Sequence, residues 1–417
     1  MQIFGNMTSK TGESLPTGMN NRVKDHAVPD GQYRNAVNID FDDEGNIQFP
    51  RIGSSKVYAG TDCHSWYQFE DSFGAGIFIE GAELKRLNSN NTVTALKTVG
   101  NQPMSYCQVN GVVYFSNSAV TGRYRDGQVI EWGIPTPFNQ LNVSARNKGG
   151  LHAGIYLVTL TWLSNGEESG ADISRSVTVE EGGGIRLTNF PSSPAFVEQV
   201  AVYVSSPNGS ELYLYDEYPS DIQVVDVQYF IGDAMLETQF AIKPQVRTGL
   251  TVHSGRIYWI DGQLVRCTMP HNFLLQEALA YFVFEEPVTN IISTQGPLFV
   301  TTELGIYQVS GIDGEGLPEL QKVKNYGAAA MRLPHNDQQN DVTFVMADVG
   351  MIAITAGGVK ELHLDKVAPP KFKKGCISVI DQGGVRKLIS VCQDGVISRL
   401  QSDDYTTTEA LRNGTGL

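Results

Sequence analysis

Charged side chains are scarce in this chain: Asp, Glu, Lys and Arg make up 18% of its 417 residues, against roughly a quarter in an ordinary soluble domain. The shortage is sharpest for cations, with 31 Lys and Arg facing 45 Asp and Glu, a net charge of -14. That balance excludes a protein that grips nucleic acid by neutralising phosphates, which needs clustered Lys and Arg. The single compact basic run, Lys371, Lys373 and Lys374, is too short to alter this. Cysteine is also rare. Its five copies form no C-x-x-C, so neither a disulfide framework nor a zinc knuckle is expected, and the thiols read as small buried hydrophobes. No apolar run approaches the roughly 20 residues of a membrane helix. The opening MQIFGNMTSKTGES lacks the basic segment and apolar run of a secretory signal. The expectation is a chain made in a reducing cytosol.

Catalytic signatures are missing as well. There is no G-x-S-x-G, G-x-x-x-x-G-K-[ST] or H-E-x-x-H, and the seven His are scattered singly between His26 and His363. The segment DFDDEGNI places Asp40, Asp42 and Glu44 at alternate positions, yet Arg51 stands where a calcium loop needs its closing Glu. A hairpin turn fits it better. Acidic doublets recur at Asp42–Asp43, Glu167–Glu168, Glu180–Glu181, Glu285–Glu286 and Asp403–Asp404. Neighbouring residues on a strand point to opposite faces, so a doublet does not supply the facing carboxylates of a glycosidase. The run Gly311–Gly316 resembles a phosphate loop but precedes no helical pattern, and the helix dipole that binds anions is therefore missing. A non-enzymatic protein without metal or cofactor is expected.

What the chain does have is glycine, 43 copies, arranged in a recurring phrase. A turn rich in Gly, Asn or Asp leads into a short Val, Ile, Leu and aromatic run, a second Gly turn and another alternating run. Instances are GAGIFIEGAELKRL around Phe78, VNGVVYFSNSAVTGRY around Tyr114, HSGRIYWIDGQLVRC around Tyr258 and QGPLFVTTELGIYQV around Phe299. NDVTFVMADVGMIAI around Phe344 and VRKLISVCQDGVISRL around Ile389 complete the series. Each reads as a hairpin whose tight reversal requires left-handed backbone angles that glycine adopts without penalty. The anchors are 36, 144, 41, 45 and 45 residues apart, and excising the 102 residues 142–243 reduces the outlying interval to 42. That period matches roughly 40–50 residues per blade. An all-β fold is predicted, an about six-bladed β-propeller of residues 31–141 and 244–417, preceded by an extended arm over 1–30. The competing arrangement is a two-sheet sandwich; no W-D dipeptide or sialidase box assigns the blades to a familiar repeat type.

Residues 142–243 differ in style. GIYLVTLTWL, ISRSVTV, GIRLTNF, VEQVAVYVSS, ELYLYDEY and IQVVDVQYF are short alternating strands around Trp162. About six or seven strands in such a length predict an immunoglobulin or fibronectin III-like β-sandwich insert, without the paired Cys of antibody domains. The insert holds 13 acids and 5 bases, so -8 of the total charge lies in it.

These residues resemble a known family. RNAVNIDFDDEGNIQFPRIGS is similar to the start of tail hub or nozzle proteins of tailed bacteriophages, also called packaged-DNA stabilisation proteins. HSGRIYWIDGQLVRCTMP, ISTQGPLFVTTELGIYQVSGID and ADVGMIAITAGGVKEL resemble their propeller blades, and AGIYLVTLTWLSNGEESG resembles their sandwich domains. The similarity covers most of 34–363, while Phe49-Pro50-Arg51 departs from it and the last 50 residues match nothing in it. The resemblance implies a structural virion protein of the tail, assembled in the host cytoplasm. It would be a homo-oligomeric ring, commonly a hexamer, beneath the portal and adaptor and touching other tail proteins such as a fibre or needle. The ring retains packaged DNA until ejection and then lets it pass without specific binding. A net negative wall would keep a polyanion from sticking, with Glu167, Glu168, Glu180, Glu181, Asp216 and Glu217 as the channel-facing candidates. The alternative is a receptor- or glycan-binding module, whose signature would be exposed aromatics; Trp66, Trp132, Trp162 and Trp259 are not clustered in sequence.

Overall fold

A computed structural model describes residues 20–29, 32–34, 39–41, 47–50, 56–69, 74–312, 318–331, 335–337, 341–362, 374–382 and 385–393, except 118, 139 and 231. The protein is all-β. Among the described residues the only helical element is a three-residue 3-10 turn, Asp25–Ala27. The arm expected over 1–30 lies mostly outside the described residues, as do most of the DFDDEGNI loop, the GIDGEG run and the return half of the hairpin expected around Ile389.

The hairpin phrases fold into small four-stranded sheets whose strands follow one another in sequence order. The first comprises Cys63–Gln68, Gly76–Glu80, Glu83–Leu87 and Val93–Thr98. The second comprises Ser105–Val109, Val112–Ser116, Thr121–Arg125 and Gln128–Ile130. Beyond the insert come Thr248–His253, Arg256–Asp261, Leu264–Cys267 and Tyr281–Val283 as the third. The fourth is Val288–Ile292, Leu298–Thr302, Ile306–Ser310 and Glu319–Lys324, and the fifth is His335–Asp337, Val342–Ala347, Gly350–Thr355 and Gly358–Glu361. Phe78, Tyr114, Tyr258, Phe299 and Phe344 each lie on the second strand of their sheet. That strand carries the apolar run, and Ile77, Phe115, Ile257, Phe299 and Val345 are sealed from solvent. A further sheet pairs Lys374–Gln382 with Val385–Gln393, and the former also runs parallel to Ala330–Met331.

Several reversals are two-residue turns with both central residues at positive φ: Asn110-Gly111, Asp126-Gly127, Asn165-Gly166 and Ser254-Gly255. This is the type I′ geometry that matches strand twist, and it accounts for the Asn, Asp or Ser ahead of each Gly.

The chain divides into two compact units. One holds Met1–Ser105, Gly262–Leu264 and Val283–Leu417; the other holds Tyr106–Asp261 and Val265–Phe282. In the first, Ile292, Phe299, Ile306, Val345, Ile352 and Ile354 belong to one core that joins the fourth and fifth sheets. In the second, Cys107, Tyr114 and Trp132, which precede the insert, share a core with Val246, Leu250, Ile257 and Trp259, which follow it. Trp132 is fully buried and its Nε1–H donates to the Phe273 carbonyl at 2.8 Å.

Residues 142–243 form two sheets around a single core. Asn142–Leu151, Gly183–Thr188 and Val224–Val227 make one. The other is built on Gly154–Ser164, with Glu167–Glu168 and Arg175–Val179 as partners and Gln199–Ser205 followed by Leu212–Pro219 beyond. Tyr156, Val158, Leu160, Trp162, Val200, Val202 and Val204 face Leu151, Ile185, Leu187, Val225 and Val227, as the alternation of these strands requires. The opposite face of the longer sheet is covered too, because Ala201, Tyr203 and Leu212 pack with Ala171 and Leu236.

Candidate functional site

The six carboxylates singled out in the insert are distributed over several surroundings. Glu167, in the tight hairpin after Gly154–Ser164, accepts both Nη groups of Arg123 at 2.7 Å each. Arg123 comes from the second four-stranded sheet, its Nε–H donates to the Glu131 carbonyl at 2.8 Å, and its side chain is almost wholly buried. This two-pronged pair pins the insert hairpin to the sheet that precedes it. Glu168 points the other way, accepting from Thr161 Oγ1 at 2.6 Å and from the Tyr203 hydroxyl at 2.7 Å. Burial, then the bond to Glu168, pushes the Tyr203 phenol up.

Glu180 and Glu181 occupy an exposed turn. Glu181 accepts the Ala153 amide at 2.9 Å and lies 3.0 Å from His152 Nδ1, and these contacts hold its carboxyl below the usual range. They sit past the Gly154 end of the strand Gly154–Ser164, whereas Glu167 pairs with its Ser164 end. Ten steps at about 3.3 Å per residue separate the doublets by roughly 33 Å. Asp216 and Glu217 are exposed on Leu212–Pro219, at the edge of the same sheet opposite to Arg175–Val179. A register shift leaves Tyr215 as a bulge just ahead of them, and Asp216 opposite Val202 and Glu217 opposite Ala201 are both exposed on this edge strand. Glu180 and Glu181 stand apart from the other two doublets, whereas Glu168 and Glu217 share one face of the sheet: Glu168 accepts from Thr161, Thr161 stands opposite Ala201, Ala201 stands opposite Glu217, and after burial both carboxylates raise the Tyr203 phenol.

Of the four tryptophans weighed as recognition residues, Trp132, Trp162 and Trp259 are core residues and Trp66 is partly exposed. Sequence reading passed over a different aromatic group on the insert. The Tyr213 and Phe230 rings meet edge to face at 5.7 Å, and those of Tyr215 and Tyr229 lie 5.3 Å apart. Tyr229 is 56% exposed and Met235, bridged by backbone to Tyr213, 55%.

Acid–base pairs also mark the blade-like sheets. Glu80 closes the second strand of the first sheet and accepts from Lys85 Nζ at 2.7 Å, the Tyr58 hydroxyl at 2.7 Å and the Thr61 amide at 2.9 Å. Asp261 holds the same place in the third sheet and accepts from Arg266, again five residues on, at 2.9 Å. Glu361 repeats the Lys and Tyr pairing with Lys324 and Tyr326, both at 2.7 Å. Lys85, then Tyr58 and Thr61, hold the Glu80 carboxyl at about 2, below its ordinary 4.5. A carboxyl depressed by folding contributes stability that is complete above its unfolded value and is lost as pH falls through the folded one. Glu80→Gln is therefore expected to flatten the acid limb of a urea-midpoint profile between pH 4.5 and about 2, with no change in the shape of the profile near neutrality. An unaltered acid limb in this variant would mean that Glu80 is not so held. Among the described residues no group of three or more His, Cys, Asp or Glu is placed to hold a metal ion.

No family model matches the chain, and no curated protein matches it. Among solved structures it is similar to a streptogramin B lyase, at 11% identity over 76% of this chain and 88% of that one with a TM-score of 0.32. It is similar to PorZ, a surface component of the type-IX secretion system of Porphyromonas gingivalis, at 10% identity, 73% of this chain, 32% of that one and a TM-score of 0.27. A prolyl endopeptidase matches at 10% identity, 80% of this chain, 50% of that one and a TM-score of 0.22.

Proposed function

We propose that this chain is a structural, non-enzymatic subunit of a bacteriophage tail, a hub or nozzle protein. Copies would form a ring around the DNA channel below the portal and adaptor and retain packaged DNA until ejection. The fold behind this reading is a propeller of about six blades interrupted by an immunoglobulin or fibronectin III-like sandwich. One observation carries it. Four-stranded meanders recur at the predicted period, and those on either side of residues 142–243 share the core of Tyr114, Trp132, Ile257 and Trp259, as adjacent blades would if the insert were looped out between them. The resemblance of the segments around Tyr258, Phe299 and Met351 to tail propellers supplies the biological context.

The net charge of -14 suits this role, since a wall that repels phosphate lets DNA slide where a basic wall would hold it. The charge is spread: Glu167 is neutralised by Arg123, and Asp226 by Arg146 and Arg186. Glu180, Glu181, Asp216 and Glu217 remain as exposed carboxylates available to a lumen. The test is electron microscopy of the purified protein together with its mass in solution. A closed ring with an axial opening is expected, and in virions a ring on the particle axis. A stable monomer absent from particles would overturn the reading.

A further inference from the structure

The insert carries a long stretch without a single cation. Between Arg186 and Lys243 there are eight acids and no Lys or Arg. Among the described residues, only Asp226 of the eight is paired with guanidinium groups, those of Arg146 and Arg186. The exposed aromatic edge lies within this stretch. Tyr213, on the last strand of the longer sheet, and Tyr229, Phe230 and Met235, from the segment that returns beside it, make a solvent-facing apolar surface, and exposed carboxylates rim it. Glu211 accepts the Tyr213 hydroxyl at 2.6 Å, Asp216 flanks Tyr215 and raises the Tyr218 phenol after burial does, and Asp233 precedes Met235 by two residues.

The surface is held in place before anything binds. Leu214 donates its amide to the Ala234 carbonyl and Leu236 donates to the Leu212 carbonyl, both at 2.8 Å, which fixes the segment carrying Asp233 and Met235 beside the strand. Contiguous exposed aromatic area of this kind marks a contact surface. The charge chooses the occupant. Electron-rich ring faces bordered by unpaired carboxylates attract ammonium and guanidinium groups through cation–π and Coulomb terms together, and repel phosphate.

We propose that this aromatic edge docks a Lys- and Arg-rich segment of a protein partner, with cationic side chains over Tyr229 and Phe230 and their charge met by Glu211, Asp216 and Asp233. The proposal does not rest on the tail reading. It holds for any assembly in which the insert meets a basic neighbour.

The probe is a fluorescein-labelled peptide of alternating Arg and Ser, titrated by anisotropy against the full chain at moderate ionic strength. Saturable binding is expected, and Tyr229→Ala/Phe230→Ala should weaken it by about tenfold, the scale of one or two cation–π contacts. Tyr229→Phe retains a ring and should bind nearly as well, which separates the ring's role from any loss of folding. Asp216→Asn/Asp233→Asn should weaken binding severalfold and flatten its salt dependence. Glu180→Gln/Glu181→Gln removes the same charge at the opposite edge of the sheet and should leave affinity within about twofold. Absence of binding would overturn the proposal, as would equal losses in the two acid pairs or indifference to the aromatic double variant. A neutral oligosaccharide that binds this edge more tightly than the peptide would also overturn it, in favour of a glycan site.

Discussion

Trp132→Ala is expected to destabilise the unit containing Tyr106–Asp261 and Val265–Phe282 by about 3–5 kcal/mol. The measurement is a urea transition followed by far-ultraviolet circular dichroism, with the midpoint lowered and the slope unchanged. Three losses combine at this residue. The indole is fully buried, its ring lies 4.9 Å from that of Tyr114, and its N–H satisfies the Phe273 carbonyl. Alanine would leave a cavity among Cys107, Ile257 and Trp259 and strip that carbonyl of its donor. Trp132→Phe preserves most of the packing and should cost only about 1–2 kcal/mol. The effect is informative because Trp132 stands ahead of the insert and Ile257 and Trp259 stand after it. A Trp132→Ala protein as stable as the parent would show that the two flanks do not close on a common core.

The second large effect is expected at the Arg123–Glu167 pair. Arg123→Leu leaves the Glu167 carboxylate half-buried without its two donors, at a cost of about 2–4 kcal/mol. Arg123→Leu/Glu167→Met removes both charges and should recover most of that loss, because an ion pair taken from water is often replaced by apolar contact with little penalty. A double-mutant cycle on urea midpoints reads the coupling directly. Susceptibility of the Ser164–Glu167 hairpin to limited proteolysis should rise in the single variant and fall back in the double. Additive losses in the cycle would mean that the two groups are not coupled, and that the hairpin is held by its backbone bonds alone.

Much of the architecture was legible because it is local. Alternating apolar residues, Asn-Gly and Asp-Gly reversals and a near-constant interval specify hairpins over a dozen residues, and five of the anchors fall on equivalent strands. The strand Asn142–Leu151 was not legible. Its sequence NVSARNKGGL is polar, mostly exposed and interrupted by a register shift after Arg146, so neither periodicity nor propensity announced it, and pairing with Gly183–Thr188 decided it. The short pairing of Ala241–Ile242 with Gln276–Glu277 escaped for the same reason. Two residues carry no pattern.

The sites divide along the same line. Acidic doublets are visible in any reading of the sequence, but their surroundings are not. Glu167 meets Arg123 from 44 positions away, Glu168 turns toward Tyr203, and Glu180 and Glu181 finish at the far end of the strand that Glu167 caps. The aromatic edge depends on chain return as well, since Tyr213 finds Phe230 only because residues 234–236 run back along Leu212–Leu214. The amino-acid sequence by itself determined the all-β class, the hairpin period and the excess of negative charge, each a property of neighbouring residues or of simple composition. Which carboxylates are neutralised, which aromatics reach solvent and which blade-like sheet grips the insert were decided only in the tertiary structure. Those outcomes turn on contacts between residues tens of positions apart, made when distant strands come together.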